Sequence, residues 1–256
     1  SEPHLFNAQN VRVVPPIIGD VAHAECARET VLLNLGGLNN PFWSAEGTLA
    51  YARLIVEAFT KVVSDVDIVI TGNKCIAANA RIAEELSEFG VKNLSRTQMQ
   101  EVLKGAKYAL MTPGLGNIYD AARFDIPTIW LPPANDSQGQ QLVTLAQNGM
   151  VDGFIDWHQL LGGEPIDYSA EQTSVLEHVS AAVAVACSSG EAKVALEKHL
   201  RARISALFGA SATKPAGHAS WTAQLVDKFG AGGARKVAEL VAELAKSTKS
   251  DKRKGG

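Results

Sequence analysis

The sequence holds only three cysteines, Cys26, Cys75 and Cys187, widely separated and with no C-x-x-C pair. Disulfide frameworks and structural zinc sites need paired or clustered cysteines, so neither is expected, and a reduced, cytoplasmic setting is. No apolar run approaches the roughly 20 residues that span a bilayer. The longest candidate, "AAVAVAC" at 181–187, has the length of a core helix face. The opening "SEPHLFNAQN" lacks the basic start and apolar centre of a signal peptide, so no leader is expected. A dominant sign of charge is missing as well: 24 basic and 27 acidic residues leave a net −3. Binding to nucleic acid calls for a basic face, so that partner class is set aside. No internal repeat is visible.

What the chain does have is alternation. Its 256 residues are enough for one large domain with a full core. From about residue 30 to 155, short aliphatic runs alternate with segments of helical period. The runs "TVLLNL" (30–35), "VDIVITG" (66–72), "KYALMT" (107–112) and "PTIWLP" (127–132) read as buried strands, and "VKNL" (91–94) as a short one. Between them, 44–63, 76–90, 95–106, 117–124 and 138–149 read as helices, with Ser44 a candidate N-cap and Gly90 a C-terminal stop. Strands and helices alternating at this pitch predict an α/β fold, a Rossmann-like doubly wound parallel sheet covered on both faces. Ligands in such sheets lie beyond the carboxyl ends of the strands. After residue 165 the strands stop, and 170–189, 191–209 and 221–246 read as helices. The expected organisation is a linker-like segment at 1–20, the sheet domain at 21–185, C-terminal helices at 186–246 and a disordered basic tail at 247–256.

The stretch "LMTPGLGNIYDAARFDIPTIWLPPANDSQGQQL" (110–142) carries the chemistry. Gly114, Leu115 and Gly116 form a turn between strand and helix, where glycine lets the backbone approach a bulky anion. The helix expected to open at Asn117 would offer unpaired N–H groups to a phosphate, with the Asn117 amide beside them. Asp120, one turn on, could accept hydrogen bonds from vicinal ribose hydroxyls. Asp136 and Gln138 in the next loop suit sugar hydroxyls. Each feature has a plainer reading, as a turn, an N-cap or a helix-dipole partner. The two loops in order, about 20 residues apart, favour a nucleotide sugar. Asp65 and Asp67 share the spacing of a metal-binding D-x-D, but they flank a buried strand and are read as structural.

These residues resemble the nucleotide-sugar signature in the C-terminal domain of GT-B glycosyltransferases, including the murein N-acetylglucosaminyltransferases and UDP-glycosyltransferases. The resemblance covers roughly 11–160. It extends to "VLLNLGG", whose Gly36-Gly37 exit would approach the diphosphate, and to "NLSRTQ", where backbone groups from Leu94 to Thr97 would read the base. "VRVVPPIIG" (11–19) is similar to an interdomain segment. Three departures stand out: Thr112-Pro113 replaces a cationic residue, leaving Arg96 as the nearest basic side chain; Asn117 and Asp120 replace Ser/Thr and Glu; and Asp125 stands where glycine is usual.

The resemblance implies a donor-binding half that takes a UDP-sugar with no metal and no cofactor. The general base is expected from an N-terminal acceptor-binding domain or a partner chain, either as a fragment or as a split enzyme. A nucleotide-sugar epimerase or hydrolase, and a non-catalytic nucleotide-sugar-binding subunit, remain open. A dehydrogenase is disfavoured, since "NLGGLNN" lacks the G-x-G-x-x-G spacing.

Overall fold

The computed structural model describes residues 11–18, 28–38, 40–64, 66–72, 76, 80–209 and 217–254. By contact it divides into two compact units, Ala22–Gln224 and Ser1–Val21 with Leu225–Gly256. The larger holds the sheet. Its strands are β1 (Thr30–Leu35), β2 (Ile68–Gly72), β3 (Ala106–Met111), β4 (Thr128–Trp130) and β5 (Gly153–Phe154). All pairings are parallel, in the order β2-β1-β3-β4-β5. The doubly wound α/β fold expected from alternation is therefore the observed one.

Period-two alternation along the strands buries both faces. Val31, Leu33, Leu35, Tyr108, Leu110, Ile129 and Leu131 join one core with α1 (Ala45–Val62) and with α7 (Gln172–Ser188) and α8 (Gly190–Phe208). Leu32, Ala109, Met111 and Trp130 alternate with them and are fully buried. The remaining helices of this unit are α2 (Ala80–Glu85), α3 (Arg96–Gly105), α4 (Leu115–Arg123), α5 (Asp136–Gln147) and α6 (Trp157–Leu161). No single helix among the described residues is long and apolar enough to cross a membrane; α7 and α8 pass that test only as a pair bent by 98°.

Local signals account for most boundaries. Ser44 caps α1 through the Gly47 amide, and Ser95 forms a capping box with Gln98 at α3. Gly90 takes the left-handed φ of 65° that ends a 3-10 turn over Ser87–Phe89. Three expectations are corrected. The segment 76–90 is not one helix: α2 covers Ala80–Glu85, the 3-10 turn follows, and 77–79 lie outside the described residues. The helix expected from 117 begins at Leu115, and the one expected from 138 begins at Asp136, capped by Asn135. In both, the first helical residues precede the apolar period that revealed the helix. β5 and α6 were not anticipated, because a two-residue strand and a five-residue helix are too short to show a period.

The expected boundary at residue 185 falls inside α7. The segment after 217 returns to the sheet domain, held by two carboxylates. Asp125 accepts from the Ala219 and Ser220 amides (2.8 Å each), and Asp152 accepts from the Ser220 hydroxyl (2.6 Å) and the Trp221 amide (3.0 Å). Asp125 has φ 49°. This explains the departure noted in the sequence: the position needs a left-handed residue, and aspartate takes that conformation while its side chain captures two amides. After α9 (Gln224–Phe229), which starts on the last residue of the larger unit, the smaller unit holds α10 (Gly233–Lys254), so the basic segment expected to lack structure is helical to Lys254. Lys249, Lys252, Arg253 and Lys254, good helix formers, fill half of residues 247–254. The Gly232 and Gly233 amides bond to Ile18 and Pro16 carbonyls within that unit.

A tight packing constraint lies at Gly139 in α5, where any Cβ would fall inside the Tyr168 ring. Tyr168 cannot swing away freely, since its hydroxyl donates to Asp156 (2.7 Å) and its carbonyl accepts from Gln140 (2.8 Å). Gly139→Ala is expected to destabilise the chain by about 3 kcal/mol, the upper end for overpacking. A urea unfolding midpoint equal to that of the unsubstituted chain would refute the contact.

Candidate functional site

The chain leaves β1 toward β2 on one side and later returns as β3 on the other, so the crevice of this sheet opens between the carboxyl ends of β1 and β3. Two turns border it, Gly36-Gly37 after β1 and Thr112–Gly116 after β3. Gly37 has φ 75°, a conformation that favours glycine. At Gly36 a Cβ would lie 3.0 Å from the Asn34 side-chain oxygen and 3.6 Å from the Asn117 amide. The first turn is thus pressed against the second through side-chain amides.

Across the crevice, Gly114 is the N-cap of α4 with extended dihedrals (φ −133°, ψ 150°), so its conformation does not require glycine. What glycine supplies there is room: a Cβ on Gly114 or Gly116 would meet nothing within 4 Å. Among the described residues no side chain caps α4, whose N-cap is a glycine, whereas α1, α3, α5, α6, α7 and α8 are each capped by one. Among the described residues the amides of its first turn have no side-chain cap, and Leu115 is exposed beside them.

Asn117 sits inside α4 and does not cap it. Its Nδ2 donates to the Thr112 carbonyl (2.9 Å) and hydroxyl (3.2 Å), and its Oδ1 accepts from Asn34 (3.0 Å). The side chain expected to meet a phosphate is instead committed to the walls of the crevice. Asn34 in turn accepts from the Gly36 amide (2.9 Å) and the Thr71 hydroxyl (3.2 Å), while Thr112 donates to the Gly36 carbonyl.

Gln138 is also turned inward. It is buried, donating to the Gly37 carbonyl (2.8 Å) and accepting from the Ala134 amide (2.9 Å), so it ties two loops together and presents no amide to a sugar. Asp136, the first residue of α5, accepts from Gln172 (3.0 Å) near the surface. The Pro132–Ala134 carbonyls behind it are each held by a different side chain: Tyr51 (2.6 Å), Trp157 (2.8 Å) and Asn40 (3.0 Å). Reading the sequence missed Asn34, Asn40, Tyr51 and Trp157. For Asn34 a signal existed: a carboxamide in an otherwise aliphatic buried strand must have partners.

Asp120 is partly buried one turn along α4. Desolvation raises its pKa above the ordinary value, while the charges of Arg96 and Arg123 act to lower it. Arg96, at the start of α3, is thereby brought into the field of Asp120, and Leu94 lies half-buried just ahead of it. Among the described residues, no three His, Cys, Asp or Glu side chains form a group that could hold a metal ion.

No protein-family model and no curated protein sequence matches the chain. Solved structures to which it is similar include glycosyltransferases. The spinosyn rhamnosyltransferase SpnG, complexed with spinosyn aglycone, is 17% identical with a TM-score of 0.36, over 78% of this chain and 50% of that one. The glycosyltransferase SnogD from Streptomyces nogalater is 15% identical with a TM-score of 0.38, over 90% and 45%. UGT71G1 from Medicago truncatula, complexed with UDP-glucose, is 12% identical with a TM-score of 0.32, over 80% and 41%. The chain spans about half the length of the solved chains it is similar to. At such identities and scores the likeness adds no weight to the geometry, which stands on this chain's own residues.

The carboxylate gives a test by pH. Asp120 titrates in the ordinary range when unfolded and higher when folded, so the folded state holds the extra proton between the two values. Its stability contribution is present below the unfolded pKa and is lost as pH rises through the folded one. Asp120→Asn is expected to raise the melting temperature near about pH 7, with the gain shrinking toward the ordinary aspartate range. A gain that does not change with pH would contradict the desolvation.

Proposed function

We propose that the chain is the donor-binding half of a glycosyltransferase and takes a UDP-sugar in the crevice between β1 and β3. The observation that carries this reading is the uncapped, glycine-flanked N-terminus of α4 at the switch point of a parallel sheet. A diphosphate there would receive backbone N–H groups from the first turn of α4 and lie against the Gly36-Gly37 turn. Asp120, one turn deeper, would accept from the ribose hydroxyls, and the Leu94–Arg96 segment would border the base. Gln138 and Asn117 would serve by holding the loops, and Asp136 is the acid left near the sugar end.

The chemistry proposed is direct displacement at the anomeric carbon by an acceptor hydroxyl or nitrogen. The bond from that carbon to the diphosphate oxygen breaks as the new bond forms, and UDP leaves. Negative charge grows on the departing diphosphate, and the fixed dipoles at α4 would stabilise it without a metal. The base that removes the acceptor proton is proposed to come from an N-terminal domain or a partner chain.

Isothermal titration with UDP, with and without EDTA, tests this reading. Binding that survives the chelator is expected, and no binding of UDP or a UDP-sugar would overturn it. Asp120→Ala is expected to weaken UDP by about 1–2 kcal/mol, the cost of a lost hydrogen bond to a charged or polar group. With a UDP-sugar alone the expected result is binding without turnover. Release of a free altered sugar would point instead to an epimerase or hydrolase.

A further inference from the structure

We propose that Asn34 is the positioning residue that sets the spacing of the anion-binding crevice; the inference rests on the nucleotide-sugar reading. Asn34 is the polar member of "TVLLNL" near the end of β1, only 7% exposed. A carboxamide there costs several kcal/mol unless its groups are paired. They are paired in one direction only. The Gly36 backbone N–H can only donate, so it must face the Asn34 oxygen (2.9 Å), which also accepts from Thr71. The Asn34 nitrogen is thereby left to donate to the Asn117 oxygen (3.0 Å). At the other end the Thr112 carbonyl can only accept, so it must face the Asn117 nitrogen (2.9 Å). The Thr112 hydroxyl then donates to the Gly36 carbonyl and closes the ring.

Backbone groups at both ends fix the orientation of both amides, and flipping either one opposes two acceptors or two donors. The ring joins the exits of β2, β1 and β3 to α4. It therefore holds the Gly36-Gly37 turn and the first turn of α4 at a set distance, the two backbone surfaces between which a diphosphate would lie. Every side chain in it is neutral. An aspartate at 34 would keep the acceptor but set a carboxylate against the Asn117 oxygen and behind an anion site.

The same geometry reassigns Asn117. With its oxygen on Asn34 and its nitrogen on Thr112, its loss acts on a ligand by releasing α4, not by removing a direct contact. Asn34 and Asn117 therefore act as one unit, and their effects on binding should not multiply.

A double-mutant cycle read by UDP titration tests this, with melting temperature followed separately. Asn34→Ala and Asn117→Ala are each expected to weaken UDP about tenfold, and the pair together no more than about threefold beyond either one. An Asn34→Ala affinity within threefold of the unsubstituted chain would overturn the proposal, and so would effects that multiply to about a hundredfold. Should Asn34→Ala fail to fold, Thr71→Val removes one donor to the same oxygen. It is expected to weaken UDP about threefold without multiplying the effect of Asn117→Ala, and unchanged affinity would refute the role. If the unsubstituted chain does not bind UDP, the nucleotide reading itself fails. If it binds and the Asn34 variant binds equally, only the positioning role does.

Discussion

A parallel sheet whose strand order reverses cannot close its own carboxyl edge. Once β1 has sent the chain outward to β2 and β3 has taken it the other way, the loops at their ends diverge and leave a gap. Something must keep that gap at a defined width. Here the task falls to neutral side-chain amides bonded to backbone groups rather than to apolar packing, because the strand exits are where unpaired N–H and C=O groups accumulate. Asn34, Asn117, Gln138 and Asn40 tie β1, α4 and the β4 exit into one rim.

That rim leaves a helix terminus without a side-chain cap. The first turn of α4 keeps its amides uncapped beside glycines that place no Cβ over them, while the neighbouring helices spend a side chain on the same problem. The rigid frame and the uncapped turn belong together: dipoles held still by other bonds are preorganised. Asp120 shows the opposite balance, a carboxylate held partly out of water with two arginines in its field, less favourable to the fold than a neutral group would be.

The strands and most helices were legible because their periods are long enough to repeat. "TVLLNL", "KYALMT" and the face of α1 carry their own burial pattern. Elements below that length, β5 and α6, carried none. The site was legible by type rather than by role. Gly36, Gly37, Gly114 and Gly116 do border the crevice, and Arg96 does reach the field of Asp120. Asn117 and Gln138, though, were read as groups facing a ligand, and both face the protein. A one-dimensional spacing says that an amide sits in a loop; whether it points outward depends on backbone groups far along the chain, 101 positions away for Gln138 and Gly37.

Asp125 shows the same division. Its place in the "FDIP" turn was visible, as was its departure from glycine, but its partners at 219 and 220 were not. The sequence by itself determined the parallel α/β layering, the position of the glycine turns and the chemical kinds of group near them, because periodicity and backbone conformation are local properties. Only the tertiary structure decided which amides are free and which are spent, because a hydrogen bond belongs to two partners and the second one was supplied by the fold.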